Sequence, residues 1–326
     1  MDREEFESKA QICIDVIHGL LTILRDNTEQ GLFRDDAVFL VNLCQRAMLL
    51  PKSFVSSDRL LIEDNAPIDT GASSEVYRGK LGHTEVAVKS FRLYFRTGYL
   101  VRKRFIKEAL ILEMAQHPNV LRFMSIVHEK SEICIITPWH ARGHIMNYTA
   151  AVPSVPRKEL LEQVADGLHF LSQYNIVHGD LKGRNILIDD DGKALIADLG
   201  LSFIEREQDV TAASKSSTCG GTSRWMAPER LVPSAFDRPS PKATASSDVY
   251  SFGMLMLEVY TGAPPWASQP AEMVVLLDVV RNIRPLRPTD GSIDDAMWRI
   301  VEQCWAHQPE ERPTILQVYN LLACIP

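Results

Sequence analysis

The chain has 326 residues, 45% of them hydrophobic, and carries a net charge of −7 at neutral pH. That is enough apolar content for a large core, and the length suits about two units at roughly 100–200 residues per domain, which can equally be two lobes of one module. The acidic balance excludes bulk nucleic-acid binding of the usual basic kind while leaving a local basic patch open, and no apolar run reaches the ~18 residues of a membrane span. Met1 is followed by Asp2, Arg3, Glu4 and Glu5, which is not the opening of a signal peptide. In chain order, Phe6, Ile12, Val16, Ile17, Leu20, Leu21 and Leu24 recur at helical spacing over residues 5–25, and Val38, Leu40, Val41, Leu43 and Met48 do so over 35–49. The two stretches predict a helical hairpin turning at Glu29, Gln30 and Gly31. A brace against the following domain is the simpler reading of it, and a partner-binding module the alternative. After Pro51 the pattern changes to strands over 59–63, 74–80, 84–91, 120–127 and 132–137, interrupted by a helix over 100–116. Beyond Gly143 the chain reads as mainly helical, with a strand-like stretch near 186–196 and a long helix over 248–261. The six cysteines (Cys13, Cys44, Cys134, Cys219, Cys304 and Cys324) are scattered without zinc-ligand spacing, which suits reduced thiols in an intracellular, cytoplasmic protein.

The densest chemistry lies in His178-Gly179-Asp180-Leu181-Lys182-Gly183-Arg184-Asn185, followed thirteen residues after Asn185 by Asp198-Leu199-Gly200. Two carboxylates, an amine and an amide on two loops around a short hairpin supply a base for a hydroxyl proton, a cation for a migrating phosphoryl group and oxygen ligands for Mg²⁺. By contrast, Asp189, Asp190 and Asp191 precede Gly192 and read as a solvated turn. Upstream, alternation in Val86-Ala87-Val88-Lys89 points Ala87 and Lys89 to one side of a strand. Glu108 follows nineteen residues later on the helix, with Leu112 on its inward face and Glu113 on a solvated one.

These motifs, in this order and over about residues 59–322, resemble those of the eukaryotic protein kinases. HGDLKGRNILID and GGTSRWMAPER look closest to tyrosine-kinase-like Ser/Thr kinases of the kind expanded in basidiomycete fungi. The resemblance implies an α+β, bilobal protein-kinase fold with a cleft between its lobes: a helical N-terminal extension over 1–55 and a kinase domain over 56–326, its β-rich N-lobe about 56–138 and its helical C-lobe about 139–326. It implies ATP with Mg²⁺, or Mn²⁺ in its place, and a protein substrate offering Ser or Thr; it implies neither nucleic acid nor membrane span, and leaves oligomeric state unassigned. Asp180 becomes the base, Lys182 the cation on the transferred phosphoryl, Lys89 the cation on the α- and β-phosphates, and Glu108 its partner. Asn185 and Asp198 become the metal ligands. Nucleotide binding falls to Gly71, Val76, Ala87, Lys89, Thr137, Pro138, His140 and Leu187, with His140 offering a backbone N–H and keeping an exposed side chain. Glu229 and Arg312 match a buried ion pair, Asp248 an acceptor of catalytic-loop N–H groups, Trp305 a core residue, and Thr222 a residue bonding Asp180 and Lys182.

Three departures from the family pattern stand out. The phosphate-covering loop should carry three glycines, but Asp69-x-Gly71-x-x-Ser74-x-Val76 keeps only Gly71 and sets Asp69 near the phosphates, so nucleotide affinity should fall. This keeps a pseudokinase or signalling scaffold as the alternative function. Leu199 replaces the usual phenylalanine beside Asp198, a milder change. Gly179 replaces the arginine that in many relatives pairs with an activation-segment phosphate, so activity should not depend strongly on phosphate at Ser216, Ser217 or Thr218; Arg184, Lys215 and Arg224 are alternative contacts. Seven basic residues (Lys89, Arg92, Arg96, Arg102, Lys103, Arg104 and Lys107) occur between Glu85 and Glu108 without an acid, and read as a mostly solvated face with an acidic partner as the lesser alternative.

Overall fold

The computed structural model describes residues 3–26, 30–63, 66–71, 74–92, 98–129, 132–199, 203–204 and 223–325. Glu29, Arg96, Gly200, Lys215, Ser216, Ser217, Thr218, Cys219, Gly221 and Thr222 lie outside the described residues. The chain forms an α+β structure of two compact units, one made of Met1–Gln116 with Leu121–His140, the other of His117–Val120 with Ala141–Pro326.

The first unit opens with α1 (Arg3–Asp26) and α2 (Gln30–Ala47). Gln30 and Gly31 are therefore helical, and α2 starts about a turn earlier than the apolar pattern predicts. Among the described residues, the fully buried positions of α1 share only Leu21 with the predicted apolar set. Ala10, Ile14 and Leu21 face inward, whereas Phe6, Ile12, Val16 and Leu20 are exposed, because α2 presents Ala37, Leu40, Val41 and Cys44 to only one narrow side of the helix. Several long-range contacts tie the two helices to the rest of the unit. Gln11 Nε2 donates to Leu50 O at 2.9 Å, Lys52 N donates to Asp15 Oδ1 at 2.9 Å, and Gln45 Nε2 donates to Lys103 O at 3.2 Å.

The sheet of this unit has six strands, all antiparallel. β1 (Leu60–Ile62) and β2 (Asp69–Thr70) pair successive stretches of β3 (Ser74–Leu81), followed by β4 (Thr84–Arg92), β6 (Glu132–Pro138) and β5 (Ser125–Glu129). Leu81, Val86, Val88, Val127, Cys134 and Ile136 form its buried cluster, each supplied by strand alternation. The strand predicted over 120–127 begins only at Ser125, because a turn takes the earlier part: Val120 N donates to His117 O, and Asn119 Nδ2 to Ala194 O within the second unit. α3 (Gly98–Met114) carries Val101, Phe105, Ile106, Ala109 and Leu112 inward.

In the second unit, α4 (Ile145–Ala151) and α5 (Arg157–Gln173) lead to the two-residue strand β7 (Ile176–Val177), which pairs β10 (Phe203–Ile204). β8 (Ile186–Ile188) and β9 (Ala194–Ile196) form a hairpin whose turn is the predicted one, with Asp189 Oδ1 accepting from the N–H groups of Asp191 and Lys193. After α6 (Pro228–Leu231) comes α7 (Ala245–Thr261), with almost every residue from Ser247 to Val259 buried. Its start precedes the predicted one because Thr244 and Ser247 form a reciprocal capping box. α8 (Glu272–Val280), α9 (Asp295–Cys304) and α10 (Ile315–Ala323) complete the unit, and Trp305 is buried against Trp298, as expected of a core residue. No helix among the described residues is long and apolar enough to cross a membrane.

Candidate active site

In the first unit, β4 buries Val86, Val88 and Ser90 on one face and leaves Ala87 and Lys89 half-buried on the other, the alternation a strand imposes. Lys89 Nζ meets Glu108 Oε1 at 2.6 Å; the lysine side chain keeps 20% of its surface and the glutamate 3%. A carboxylate so shielded is retained at low cost only when paired and hydrogen-bonded. Lys89 Nζ also lies 5.6 Å from the Phe91 ring centroid, and that ring meets Phe105 of α3 edge-on. The helix that brings Glu108 to Lys89 is thus held by aromatic contact as well as by charge. Leu112 is buried as predicted, but Glu113 is not solvated: its Oε2 lies 3.3 Å from His18 Nε2 on α1.

At the predicted phosphate-covering loop, β2 and β3 pair antiparallel. Val76 is half-buried opposite Lys89, Gly71 is exposed, and the Gly71 N–H donates to Ser74 O at 2.8 Å. Asp69 is exposed beside it and accepts its own neighbour's N–H, from Thr70, at 2.9 Å. Further on, Thr137 is buried while Pro138 and His140 are half-buried. The expected exposed histidine is corrected here, since both ring nitrogens of His140 are shielded from solvent.

In the second unit the loop 178–185 is held from several sides. Asp248, near the start of α7, accepts the N–H of His178 on Oδ2 at 2.6 Å and the N–H of Gly179 on Oδ1 at 2.9 Å. Burial pushes its carboxyl pKa up, opposed by those two N–H groups and by Arg230. The His178 ring bridges back: Nε2 meets Ala197 O at 3.0 Å and Nδ1 accepts the N–H of Asp180 at 3.2 Å, which fixes the neutral Nε2–H tautomer. Asp180 Oδ2 accepts from Lys182 Nζ at 2.8 Å and from Asn185 Nδ2 at 3.2 Å. Its other oxygen, Oδ1, is buried and takes no hydrogen bond among the described residues.

Asn185 Nδ2 also donates to Asp180 O at 2.7 Å, so the amide's donor end faces Asp180 and its carbonyl oxygen faces away. The N–H of Ala197 donates to Asn185 O at 2.8 Å, joining this loop to the strand end that precedes Asp198. Asp198 is exposed and sits at φ 57°, a left-handed conformation uncommon outside glycine. Leu199 is fully buried, as an apolar replacement requires, and Leu187 is half-buried on β8. An amide oxygen and a carboxylate are hard oxygen donors of the kind that could hold Mg²⁺.

Sequence reasoning missed a second set of supports. Glu258 on α7 accepts the N–H of Gly183 and the Nε1–H of Trp225, at 2.8 and 2.9 Å, while burial raises its pKa. A Cβ at Gly183 would stand 2.5 Å from the Met146 side chain, so only glycine allows this approach. Glu229 and Arg312 form the expected buried pair, bidentate at 2.7 and 2.8 Å.

The whole stretch from residue 62 to residue 322 matches the family model described as protein tyrosine and serine/threonine kinase. The chain belongs to the protein kinase family. Among curated proteins it is 28% identical over 263 residues to the serine/threonine/tyrosine-protein kinase HT1 of Arabidopsis thaliana, covering 78% of this chain and 63% of that protein. It is 31% identical over 273 residues to the serine/threonine-protein kinase CTR1 of the same plant, covering 78% and 30%. The transforming tyrosine-protein kinase Fps of an avian sarcoma virus is 29% identical over 287 residues, covering 86% and 51%. The chain thus spans less than two thirds of the length of these relatives. Residues 178–185 and 223–229 both fall within that match.

Proposed function

We propose that this chain is an ATP-dependent protein kinase transferring the γ-phosphoryl group of ATP to Ser or Thr hydroxyls of a protein. The observation that carries the reading is the asymmetry of Asp180, with one oxygen fixed by Lys182 and Asn185 and the other taking no hydrogen bond among the described residues. A buried acceptor on a clamped carboxylate is suited to take the proton of a substrate hydroxyl as the hydroxyl oxygen bonds to the γ-phosphorus and ADP leaves. In this reading Lys182, 2.8 Å from Asp180, carries positive charge to the same place. Lys89, oriented by Glu108, holds the α- and β-phosphates, while Ala87 and Val76 offer apolar surface to the base and the backbone of Pro138 and His140 its polar edge. Asn185 and Asp198 would hold Mg²⁺, which when bound offsets phosphate charge and orients the γ-phosphoryl group; Mn²⁺ suits the same oxygen donors.

Serine or threonine specificity rests on Lys182 two residues after Asp180 and on relatives named as serine/threonine kinases, HT1 and Fps being named also or only for tyrosine. The narrower likeness to tyrosine-kinase-like enzymes of basidiomycete fungi rests on the HGDLKGRNILID and GGTSRWMAPER motifs. The division into an extension over 1–55 and a kinase domain over 56–326 belongs to the same proposal, supported by a family match that begins at residue 62.

A second reading, a pseudokinase scaffold, is favoured by one feature: the Gly71 N–H is committed to Ser74 O, with Asp69 close by in the sequence. Incubating purified protein with γ-labelled ATP and a Ser/Thr/Tyr peptide library separates the readings. Label on serine and threonine is expected. Predominant phosphotyrosine overturns the acceptor assignment, and the absence of label in the presence of Mg²⁺ or Mn²⁺ favours the scaffold.

A further inference from the structure

Gly179 stands where many kinases place an arginine, so the residue before the catalytic aspartate brings no guanidinium of its own. It adopts φ 79°, and glycine lets the backbone rotate there more freely than any other residue. The peptide plane joining Gly179 to Asp180 aims the Asp180 side chain, and both of its polar groups are held. Its N–H donates to His178 Nδ1 at 3.2 Å, and its C=O accepts from Arg230 Nη1 at 2.8 Å.

Arg230 reaches this carbonyl from a firm base. It follows Glu229 on α6, and Glu229 is pinned by the two terminal guanidinium nitrogens of Arg312. Adjacent side chains of one short helix thus serve opposite ends, one anchored in the core and the next on the catalytic loop. Arg224, by contrast, is engaged elsewhere, its guanidinium donating to the carbonyls of Pro265, Trp266 and Gln269. Arg184 is exposed.

We infer that Arg230 is a positioning residue for phosphoryl transfer: it supplies from the end of the activation segment the guanidinium that Gly179 lacks, and clamps the 179–180 peptide so that Asp180 stays aimed. Electrostatics agree with the geometry. Burial lowers the Arg230 pKa, and the carboxylates of Asp248, Asp180 and Glu229 oppose that shift, so the guanidinium sits among the anions of this loop. A built-in cation also accounts for a catalytic loop arranged without an arginine at 179 to receive a phosphate.

The inference rests on the kinase reading, and its test separates the two. Turnover, KM for ATP, melting temperature and amide exchange of the segment 178–180 are measured for the unaltered chain, Arg230→Gln and Arg230→Lys. Arg230→Gln should lose about ten-fold or more in kcat, with KM for ATP within about two-fold and with faster exchange at 178–180. Arg230→Lys, which keeps a charged donor, should fall between. An unchanged kcat in a folded Arg230→Gln overturns the inference, as does a loss that appears entirely in KM. Where the glutamine variant does not fold, Arg230→Lys carries the same test, and kcat equal to that of the unaltered chain overturns it. If the unaltered chain transfers no phosphate, the kinase reading fails on its own, and exchange decides the clamp: faster exchange in the variants upholds it, unchanged exchange overturns it.

Discussion

Lys89 and Asp180 are both charged groups that must be aimed, yet the protein holds them in different ways. Lys89 meets the Glu108 carboxylate, brought to it by a helix whose place depends on packing. Asp180 sits in a mesh that includes Lys182, Asn185, His178 and, through the backbone of its neighbours, Asp248 and Arg230. A partner carried on a helix is withdrawn when that helix moves, whereas a mesh yields only when several bonds break together. The comparison predicts that the first unit is where activity can be lost without loss of stability, and that the second unit couples the two.

The largest effect should come from the anchor of the mesh. Glu229→Ala strands the Arg312 guanidinium, which has no exposed side-chain surface, and should cost about 3–5 kcal/mol of stability, read from denaturant midpoints. A loss below about 1 kcal/mol would break the claim that this pair anchors α6. Next in size, Lys89→Met keeps the apolar stem and deletes the charge. It should cut kcat/KM by about a hundred-fold or more while moving the melting temperature little, because the lysine is partly exposed. Asp198→Asn should lose a similar amount, and unchanged turnover in either variant removes that residue from the assigned chemistry.

A smaller effect is expected at the β2–β3 hairpin, where Ser74→Gly should tighten ATP binding a few-fold, around 0.5–1 kcal/mol by the usual conversion. Equal or weaker binding, measured by calorimetry, would show that the missing glycine is not what limits affinity. The smallest is a pH effect at His117. Burial holds its pKa below the ordinary imidazole value of about 6.5, with Asp166 opposing and His169 adding. Because the unfolded chain then protonates first, this histidine contributes stability above about pH 6.5 that is lost as pH falls toward the depressed folded value. Glu258, raised by burial, acts with the opposite sign in mildly acidic solution, so the clean reading is a comparison of the unaltered chain with His117→Gln. The variant should lose less stability between pH 7.5 and pH 5.5; an identical loss would exclude His117 as a source.

What the sequence shows and what it hides follow the same division. Strand alternation places Ala87 and Lys89 on one face, and the spacing of Asp180 and Asn185 marks residues that the second unit hydrogen-bonds together, with Asp198 following the strand end bonded to Asn185. Both are signals written in local order. Arg230 and Gly179, Glu258 and Gly183, and His18 and Glu113 are far apart in the chain, and nothing in the local pattern of an arginine after a Pro-Glu pair or a glutamate within an apolar helix names a partner. The strand expected over 120–124 failed for a related reason: its residues suit a strand, but the turn at His117–Asn119 takes the backbone elsewhere. On α1, helical period alone left two apolar faces to choose between, and the position of α2 decided.

The central claim, that Asp180 acts in the chemical step and not in holding ATP, is met most directly by Asp180→Asn. The variant and the unaltered protein are to be compared for ATP binding in the presence of Mg²⁺ and for transfer of γ-labelled phosphate to a serine or threonine peptide. The account predicts nucleotide affinity within about two-fold and transfer reduced by about a hundred-fold or more. Transfer at the original rate, with affinity unchanged, would contradict it.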